Sequence, residues 1–134
     1  MTYLIIALTA IVSYLIGSVN FSILLSKMLS GKDIRESGSG NAGATNMLRT
    51  YGKKMGVITL LLDVLKGIVV ILLSRLVKNI AGTDEIYPVI SYIAGVCVIL
   101  GHNFPLYFGF KGGKGVATSL GVVLMLDWKV GLIV

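Results

Sequence analysis

The sequence has few charged side chains, only two prolines and a single cysteine. Charged residues make up 13% of its 134 residues, against 55% hydrophobic residues and a mean hydropathy of +0.90, whereas soluble domains carry about 25% charged residues. Cys97 has no second cysteine with which to form a disulfide. These shortages exclude an ordinary soluble domain and a disulfide-stabilised secreted domain. The composition instead predicts an all-α, polytopic transmembrane helix bundle.

Apolar runs of membrane-helix character follow one another along the chain. A transmembrane helix needs about 20 mostly apolar residues, and the first run has 23 residues without a charge. We predict a single membrane domain over residues 1–134 with about four crossings and the start of a fifth. The predicted crossings are Tyr3 to Leu25, Met55 to Leu73, Pro88 to Leu100 and Val116 to Leu126, and the fifth run begins at Val130 after an interruption at Asp127, Trp128 and Lys129.

The second run contains two charged residues, Asp63 and Lys66. Their i, i+3 spacing puts them on one helix face, where opposite charges can pair. Ionisable residues in membrane helices face the interior of the bundle. We predict an ion pair that fixes helix packing, with contact to a substrate as the alternative.

Two glycine-rich basic loops separate these runs. Lys27 to Lys54 includes GSGNAGATN and six basic residues, and Gly101 to Gly115 (GHNFPLYFGFKGGKG) includes two. The link from Arg75 to Tyr87 has two basic residues, so the count is eight against two for alternating sides of the membrane. Because basic residues are retained in the cytoplasm, we predict that both glycine-rich loops are cytoplasmic and that Met1 lies outside.

Each loop has a Gly-x-x-Gly turn and a threonine near the start of an apolar helix. Repeated glycines let backbone N–H groups converge on an anion, and nearby basic side chains supply the opposite charge. The pattern predicts one phosphate site per loop or one shared site. The alternative is that the glycines only permit turns and the basic residues only follow the orientation rule. The GSGNAG segment also matches the dinucleotide fingerprint, but that fingerprint requires a preceding strand, and a membrane helix stands there.

At these loops the sequence resembles the PlsY family of acyl-phosphate-dependent glycerol-3-phosphate acyltransferases of bacterial membranes. SGSGNAGATNMLRTYG resembles the first cytoplasmic motif of the family, and GHNFPLYFGFKGGKGVATSLG resembles the second. The resemblance implies transfer of a fatty acyl group from acyl phosphate to the 1-hydroxyl of glycerol 3-phosphate. The product is lysophosphatidic acid for phospholipid synthesis. The implied location is the bacterial cytoplasmic membrane, with membrane lipid as a partner and with no metal, cofactor or nucleic acid.

The resemblance also implies roles for particular residues. The essential serine and arginine of the first motif correspond to Ser39 and Arg49, which we predict to be catalytic. His102 is a candidate general base, or else a residue that caps the third helix or orders the loop. The predicted substrate-binding residues are Gly38, Gly40, Asn41, Gly43, Thr45, Asn46, His102, Asn103, Lys111, Gly112, Gly113, Lys114 and Gly115.

Two expectations follow about the whole protein. Members of the family have about seven helices and a third motif that carries a histidine, an asparagine and a glutamate. No such motif occurs before Val134, so we expect the chain to be a truncated, N-terminal part of the enzyme. The competing function is a non-enzymatic membrane carrier or binding subunit for a phosphorylated solute. A carrier would place its polar site near the membrane midplane, and the candidate residues cluster at one interface instead.

Overall fold

The computed structural model describes residues 1–133, which form seven α-helices and no β-strand. The all-α fold predicted from the sequence is therefore confirmed. Short 3-10 turns at Ile34–Glu36 and Leu106–Phe108 lie in the two glycine-rich loops. The helices are α1 (Thr2–Gly17), α2 (Phe21–Ser30), α3 (Ala44–Tyr51), α4 (Lys53–Ala81), α5 (Tyr87–Asn103), α6 (Val116–Leu126) and α7 (Trp128–Ile133).

Three segments of residues 1–133 are long and apolar enough to cross a membrane: Thr2–Ser30, Lys53–Ala81 and Tyr87–Phe108. The first segment is not the unbroken helix that we predicted, because α1 ends at Gly17 and α2 begins at Phe21. The side chain of Asn20 explains the break, since its oxygen accepts a hydrogen bond from the Ile23 N–H at 3.1 Å and caps α2. Asparagine is among the residues preferred at this capping position.

Helix α4 is longer than predicted. It continues through Ala81, and the predicted polar link after Leu73 shrinks to residues 82–86. The basic residues in its last turns do not interrupt it, because both find partners outside the helix. Arg75 donates to the Met125 carbonyl oxygen at 2.6 Å, and Lys78 pairs with Asp84 at 3.1 Å. Long basic side chains commonly reach polar groups in this way from the ends of membrane helices.

Helix α6 has the predicted bounds, but the helix that follows it begins earlier than predicted. Trp128 and Lys129 belong to α7. Asp127 caps this helix, because its carboxylate accepts hydrogen bonds from the N–H groups of Lys129 at 3.0 Å and Val130 at 3.3 Å. The 11 residues of α6 extend about 16 Å at 1.5 Å per residue. This is roughly half of the ~30 Å hydrocarbon core.

The helices pack in close pairs, with α1 against α5 and α4 against α6. Glycine permits the closest approach in the second pair: a Cβ at Gly67 would collide with the Thr118 carbonyl, and one at Gly121 with the Val64 carbonyl. Small residues at such contacts are typical of membrane helices. The core between α4, α5 and α6 consists of Val70, Ile71, Ala94, Val98 and Val122.

A second buried cluster lies beneath the first glycine-rich loop. It contains Ile23, Ile34, Ala42 and Met47, none of which is exposed. The cluster joins α2, the loop and α3 into one packed unit. The first glycine-rich loop is therefore a fixed part of the fold, as an active-site loop must be to hold its groups in place.

Candidate active site

One buried side chain, that of Asn46, shapes the first glycine-rich loop. Its amide nitrogen donates to the carbonyl oxygens of Ile34, Ser37 and Asn41 at 3.1, 2.9 and 3.0 Å. Its oxygen accepts a hydrogen bond from the Ser39 N–H at 3.2 Å. Asn46 is only 1% exposed, and the loop backbone occupies its polar atoms. The structure thus shows Asn46 supporting the loop, and its contact with substrate stays a prediction.

The first loop is also attached to the break between α1 and α2. The amide nitrogen of Asn20 donates to the Ala42 carbonyl oxygen at 3.2 Å, while its oxygen caps α2. Ser26, on α2, accepts a hydrogen bond from the Ile34 N–H at 2.9 Å. Polar residues at the break and on α2 therefore position the loop.

Arg35 connects the two glycine-rich loops. Its guanidinium donates to the carbonyl oxygens of Phe108 and Lys111 in the second loop, the latter at 2.9 Å. It also binds Asp33, with 2.7 Å between Nη2 and Oδ2. Hydrogen bonding to Arg35 lowers the pKa of Asp33 below its ordinary value of 3.8. Sequence reasoning missed Arg35 because nothing local distinguishes it from the other basic residues of this loop.

The two loops meet at Gly113. Its N–H donates to the His102 carbonyl oxygen at 3.2 Å. A Cβ at this position would lie 2.5 Å from both the Ala42 carbonyl oxygen and Nε2 of His102. The preceding residue, Gly112, donates its N–H to the Asn103 carbonyl oxygen at 3.0 Å. A side chain at Gly113 would therefore force the loops apart.

A cavity of about 300 Å³ lies where the loops meet. Its polar wall includes both predicted catalytic residues, Ser39 and Arg49. Its apolar wall comes from α4 and from the start of α6. The predicted residues that line the cavity are Ser39, Asn41, Gly43, Thr45, Arg49, His102, Lys114 and Gly115, and the lining residues outside that prediction are Ala44, Leu60, Asp63, Val116, Ala117 and Leu120.

The other predicted residues lie outside the cavity lining. Lys111 is exposed, and its carbonyl accepts from Arg35. Asn103 ends α5, and its side-chain oxygen is buried close to Gly115 without a hydrogen-bond partner in residues 1–133. Of the two lysines of the second loop, only Lys114 faces the cavity. The predicted residues outside the lining are Gly38, Gly40, Asn46, Asn103, Lys111, Gly112 and Gly113.

Asp63 and His102, which line the cavity, form a buried cluster of ionisable side chains with Lys66 behind them. Lys66 pairs with Asp63 at 3.5 Å, as the i, i+3 spacing predicted, and both side chains are at most 3% exposed. His102 joins them, with its Nδ1 2.8 Å from Lys66 Nζ and 3.8 Å from Asp63 Oδ1. The sequence did not predict this third member, because His102 lies 36 residues beyond Lys66. Asp63 lines the cavity as well as forming the ion pair, so the two interpretations of this residue are compatible.

A groove elsewhere in the bundle is less suitable for a phosphate. A groove of similar volume between α1 and α4 is lined by aliphatic residues, serines and a threonine, with no charged group to hold a phosphate. Within residues 1–133, no cluster of three or more histidine, cysteine, aspartate or glutamate side chains could hold a metal ion. Of these two pockets, the cavity between the loops is the one equipped to bind an anion.

Comparison with known proteins identifies the family. The family model for glycerol-3-phosphate acyltransferases matches residues 7–134. A glycerol-3-phosphate acyltransferase of Clostridioides difficile (strain 630) is 48% identical over 94% of this chain, and one of Shouchella clausii (strain KSM-K16) is 52% identical over 88%. The chain spans 59% and 55% of the lengths of these two relatives.

Solved structures agree with the sequence comparison. The glycerol 3-phosphate form of PlsY, an integral membrane glycerol 3-phosphate acyltransferase, matches 96% of this chain with a TM-score of 0.80 and 42% identity. Its lysophosphatidic acid form matches with a TM-score of 0.76 and 39% identity. The chain covers 60% of each of these structures. The resemblance found in the loop motifs is confirmed, and the chain belongs to the glycerol-3-phosphate acyltransferase family.

Proposed function

We propose that this protein transfers a fatty acyl group from acyl phosphate to the 1-hydroxyl of glycerol 3-phosphate and so forms lysophosphatidic acid. The observation that carries the proposal is the cavity between the glycine-rich loops. It combines the cationic side chains of Arg49 and Lys114 with the hydroxyl of Ser39, beside an apolar wall that includes Leu60 and Leu120. Such a site suits two phosphate groups and the beginning of an acyl chain.

The chemistry asks for orientation and charge stabilisation. In acyl phosphate the carbonyl is already activated, so the glycerol hydroxyl can attack it directly while the bond to phosphate breaks and the departing phosphate takes up the hydroxyl proton. No covalent enzyme intermediate is needed. The protein has to align the two substrates and stabilise the carbonyl oxyanion and the departing phosphate, which are large effects in enzyme catalysis.

We assign acyl phosphate to the first loop, and glycerol 3-phosphate to the second loop together with Arg49. Ser39, Asn41 and the backbone from Gly38 to Gly43 would bind the phosphate of acyl phosphate. Arg49, Lys114 and the second glycine-rich loop would bind glycerol 3-phosphate. Asp63 is the one carboxylate among the lining residues that the structure describes, and it would accept a hydrogen bond from a glycerol hydroxyl, because a carboxylate repels phosphate.

We also propose that both loops face the cytoplasm and that the N-terminus lies outside, in a bacterial cytoplasmic membrane. Two observations support this orientation. The contact of Gly113 with Ala42 puts the loops at the same end of the bundle, and the two loops together hold eight of the basic residues. Basic residues are retained on the cytoplasmic side. The acyltransferase is favoured over a carrier because the lining residues come mainly from loops and helix ends.

Ser39→Ala and Arg49→Ala variants would test the proposal. In membranes that contain the protein, acyl phosphate and labelled glycerol 3-phosphate should yield lysophosphatidic acid. We expect each variant to abolish this activity while inserting normally, because each removes a group from the cavity. Lys54→Ala, an exposed basic residue close to Arg49 in the chain, is the matched control and should keep activity. Normal turnover in both site variants would refute the site, and a wild-type protein without this activity would refute the function.

A further inference from the structure

The ammonium group of Lys66 lies at the break between α1 and α2. It donates hydrogen bonds to the carbonyl oxygens of Gly17 at 3.1 Å and Val19 at 2.9 Å. Carbonyls at the end of a helix have no partner within the helix, so the lysine satisfies two groups that the break would leave unpaired. Its third close neighbour is Nδ1 of His102, at 2.8 Å.

These contacts determine which nitrogen of His102 carries the proton. An ammonium group has three protons to donate and no lone pair with which to accept. The two carbonyl oxygens and Nδ1 of His102 take one proton each. Nδ1 must therefore be unprotonated, and the proton of the neutral imidazole must be on Nε2. The reverse arrangement, with Nδ1–H donating to a neutral amine, would leave the buried carboxylate of Asp63 without its cation, which is costly.

The protonated nitrogen faces the contact between the two loops. Nε2 of His102 lies so close to Gly113 that a Cβ there would approach it to 2.5 Å. His102 lines the cavity together with Arg49 and Lys114. A histidine base is usually supported by a carboxylate on its other nitrogen. Here that nitrogen bonds a lysine, while Asp63 Oδ1 lies 3.8 Å away, beyond hydrogen-bond distance.

We propose that Lys66 is a positioning residue, which holds His102 neutral with its proton on Nε2. His102 then donates a hydrogen bond into the cavity and does not act as the general base. The groups close to the ring are Lys66 and Asp63 from α4 and the Gly113 backbone from the second loop. The cations of Arg49 and Lys114 line the same cavity as His102. That the donated bond goes to a substrate oxygen rests on the proposed function; the position of the proton does not.

Nitrogen NMR tests the position of the proton directly. The protein would be labelled with ¹⁵N-histidine and purified in lipid nanodiscs, and a His102→Gln sample would identify the signals of His102 by their disappearance. We expect Nδ1 to resonate as an unprotonated nitrogen, and Nε2 as a protonated nitrogen with a one-bond coupling to its hydrogen. A proton on Nδ1 at neutral pH, alone or together with one on Nε2, would overturn the proposal.

Substitutions of the lysine test the cause. In Lys66→Met the donor to Nδ1 is gone, and the spectrum should change to a mixture of tautomers. Lys66→Arg retains a cationic donor and should restore the wild-type pattern. Lys78→Met, the same change near the end of the same helix, should leave the His102 signals unchanged. An unchanged spectrum in Lys66→Met would refute the role of the lysine. If Lys66→Met does not fold, the wild-type spectrum still decides which nitrogen of His102 carries the proton, and the Lys66→Arg spectrum decides whether a cationic donor maintains that arrangement.

Kinetics separate a donor from a base. Glutamine can place an N–H near the position of Nε2 but cannot act as a base, so His102→Gln should retain turnover to within about tenfold. Loss of a general base typically costs about 100-fold or more, and a loss of that size would overturn the donor role. If the wild-type protein makes no lysophosphatidic acid, the proposed function fails while the NMR result still determines where the proton lies.

Discussion

Replacing Asn46 by aspartate would show whether this residue supports the loop or binds substrate. The substitution preserves shape and the oxygen that accepts from Ser39, but it replaces a donor facing three carbonyl oxygens with another acceptor. The amide has two protons to lose. Each buried group left unsatisfied costs about 1–3 kcal/mol, so we expect a loss of about 4 kcal/mol in the free energy of unfolding. This is a large part of the ~5–15 kcal/mol that stabilises a typical protein.

The assay compares stability with activity in two matched variants. Unfolding of the detergent-solubilised protein would be followed by circular dichroism, and acyl transfer would be measured in membranes. Asn41→Asp is the control, because Asn41 lines the same cavity and its side-chain amide makes no hydrogen bond with Asn46. Only the backbone carbonyl of Asn41 accepts from Asn46. It should lose activity by repelling phosphate while its unfolding free energy changes by at most about 0.5 kcal/mol. The supporting role would be refuted if Asn46→Asp lost activity with its stability within about 1 kcal/mol of wild type.

Two further substitutions probe the contact between the loops. Gly113→Ala should reduce acyl transfer by more than about tenfold, because its Cβ would lie 2.5 Å from a carbonyl of the first loop, and small displacements in an active site are costly. The control is Gly109→Ala in the same loop, where φ is 68° and an added Cβ would have no atom within 4 Å. This variant should lose about 1–2 kcal/mol of stability and keep its activity. Equal losses of activity in Gly113→Ala and Gly109→Ala would contradict this reasoning. Arg35→Lys cannot reproduce the planar guanidinium that reaches Asp33 and two carbonyls of the second loop. The midpoint of thermal unfolding of this variant should therefore fall. An unchanged midpoint would show that Arg35 does not connect the loops.

Hydropathy and local spacing were sufficient for much of the fold. The helical class, the bounds of α6 and the proline in the first turn of α5 follow from residues close together in sequence. The pairing of Asp63 with Lys66 is equally local, since three residues of helix bring the side chains together. The extent of α4 was underestimated because Arg75 and Lys78 look like the start of a polar link. The partner of Arg75, Met125, lies 50 positions away in the chain, and Lys78 pairs with Asp84 just beyond the end of the helix.

The sequence by itself determined that this is a membrane bundle with two basic glycine-rich loops. Lipid requires each crossing helix to be long and apolar, so the helices are visible as apolar runs. The loops between them are visible from their glycines and basic residues. Which residues face the cavity was decided only by the tertiary structure. Asn46 turned inward to the backbone and Asp63 joined the cavity wall, while Lys66 reached both the end of α1 and His102. These contacts join residues up to 49 positions apart in the chain. Hydrogen bonds over such distances depend on how the helices pack, and no local pattern in the sequence contains that information.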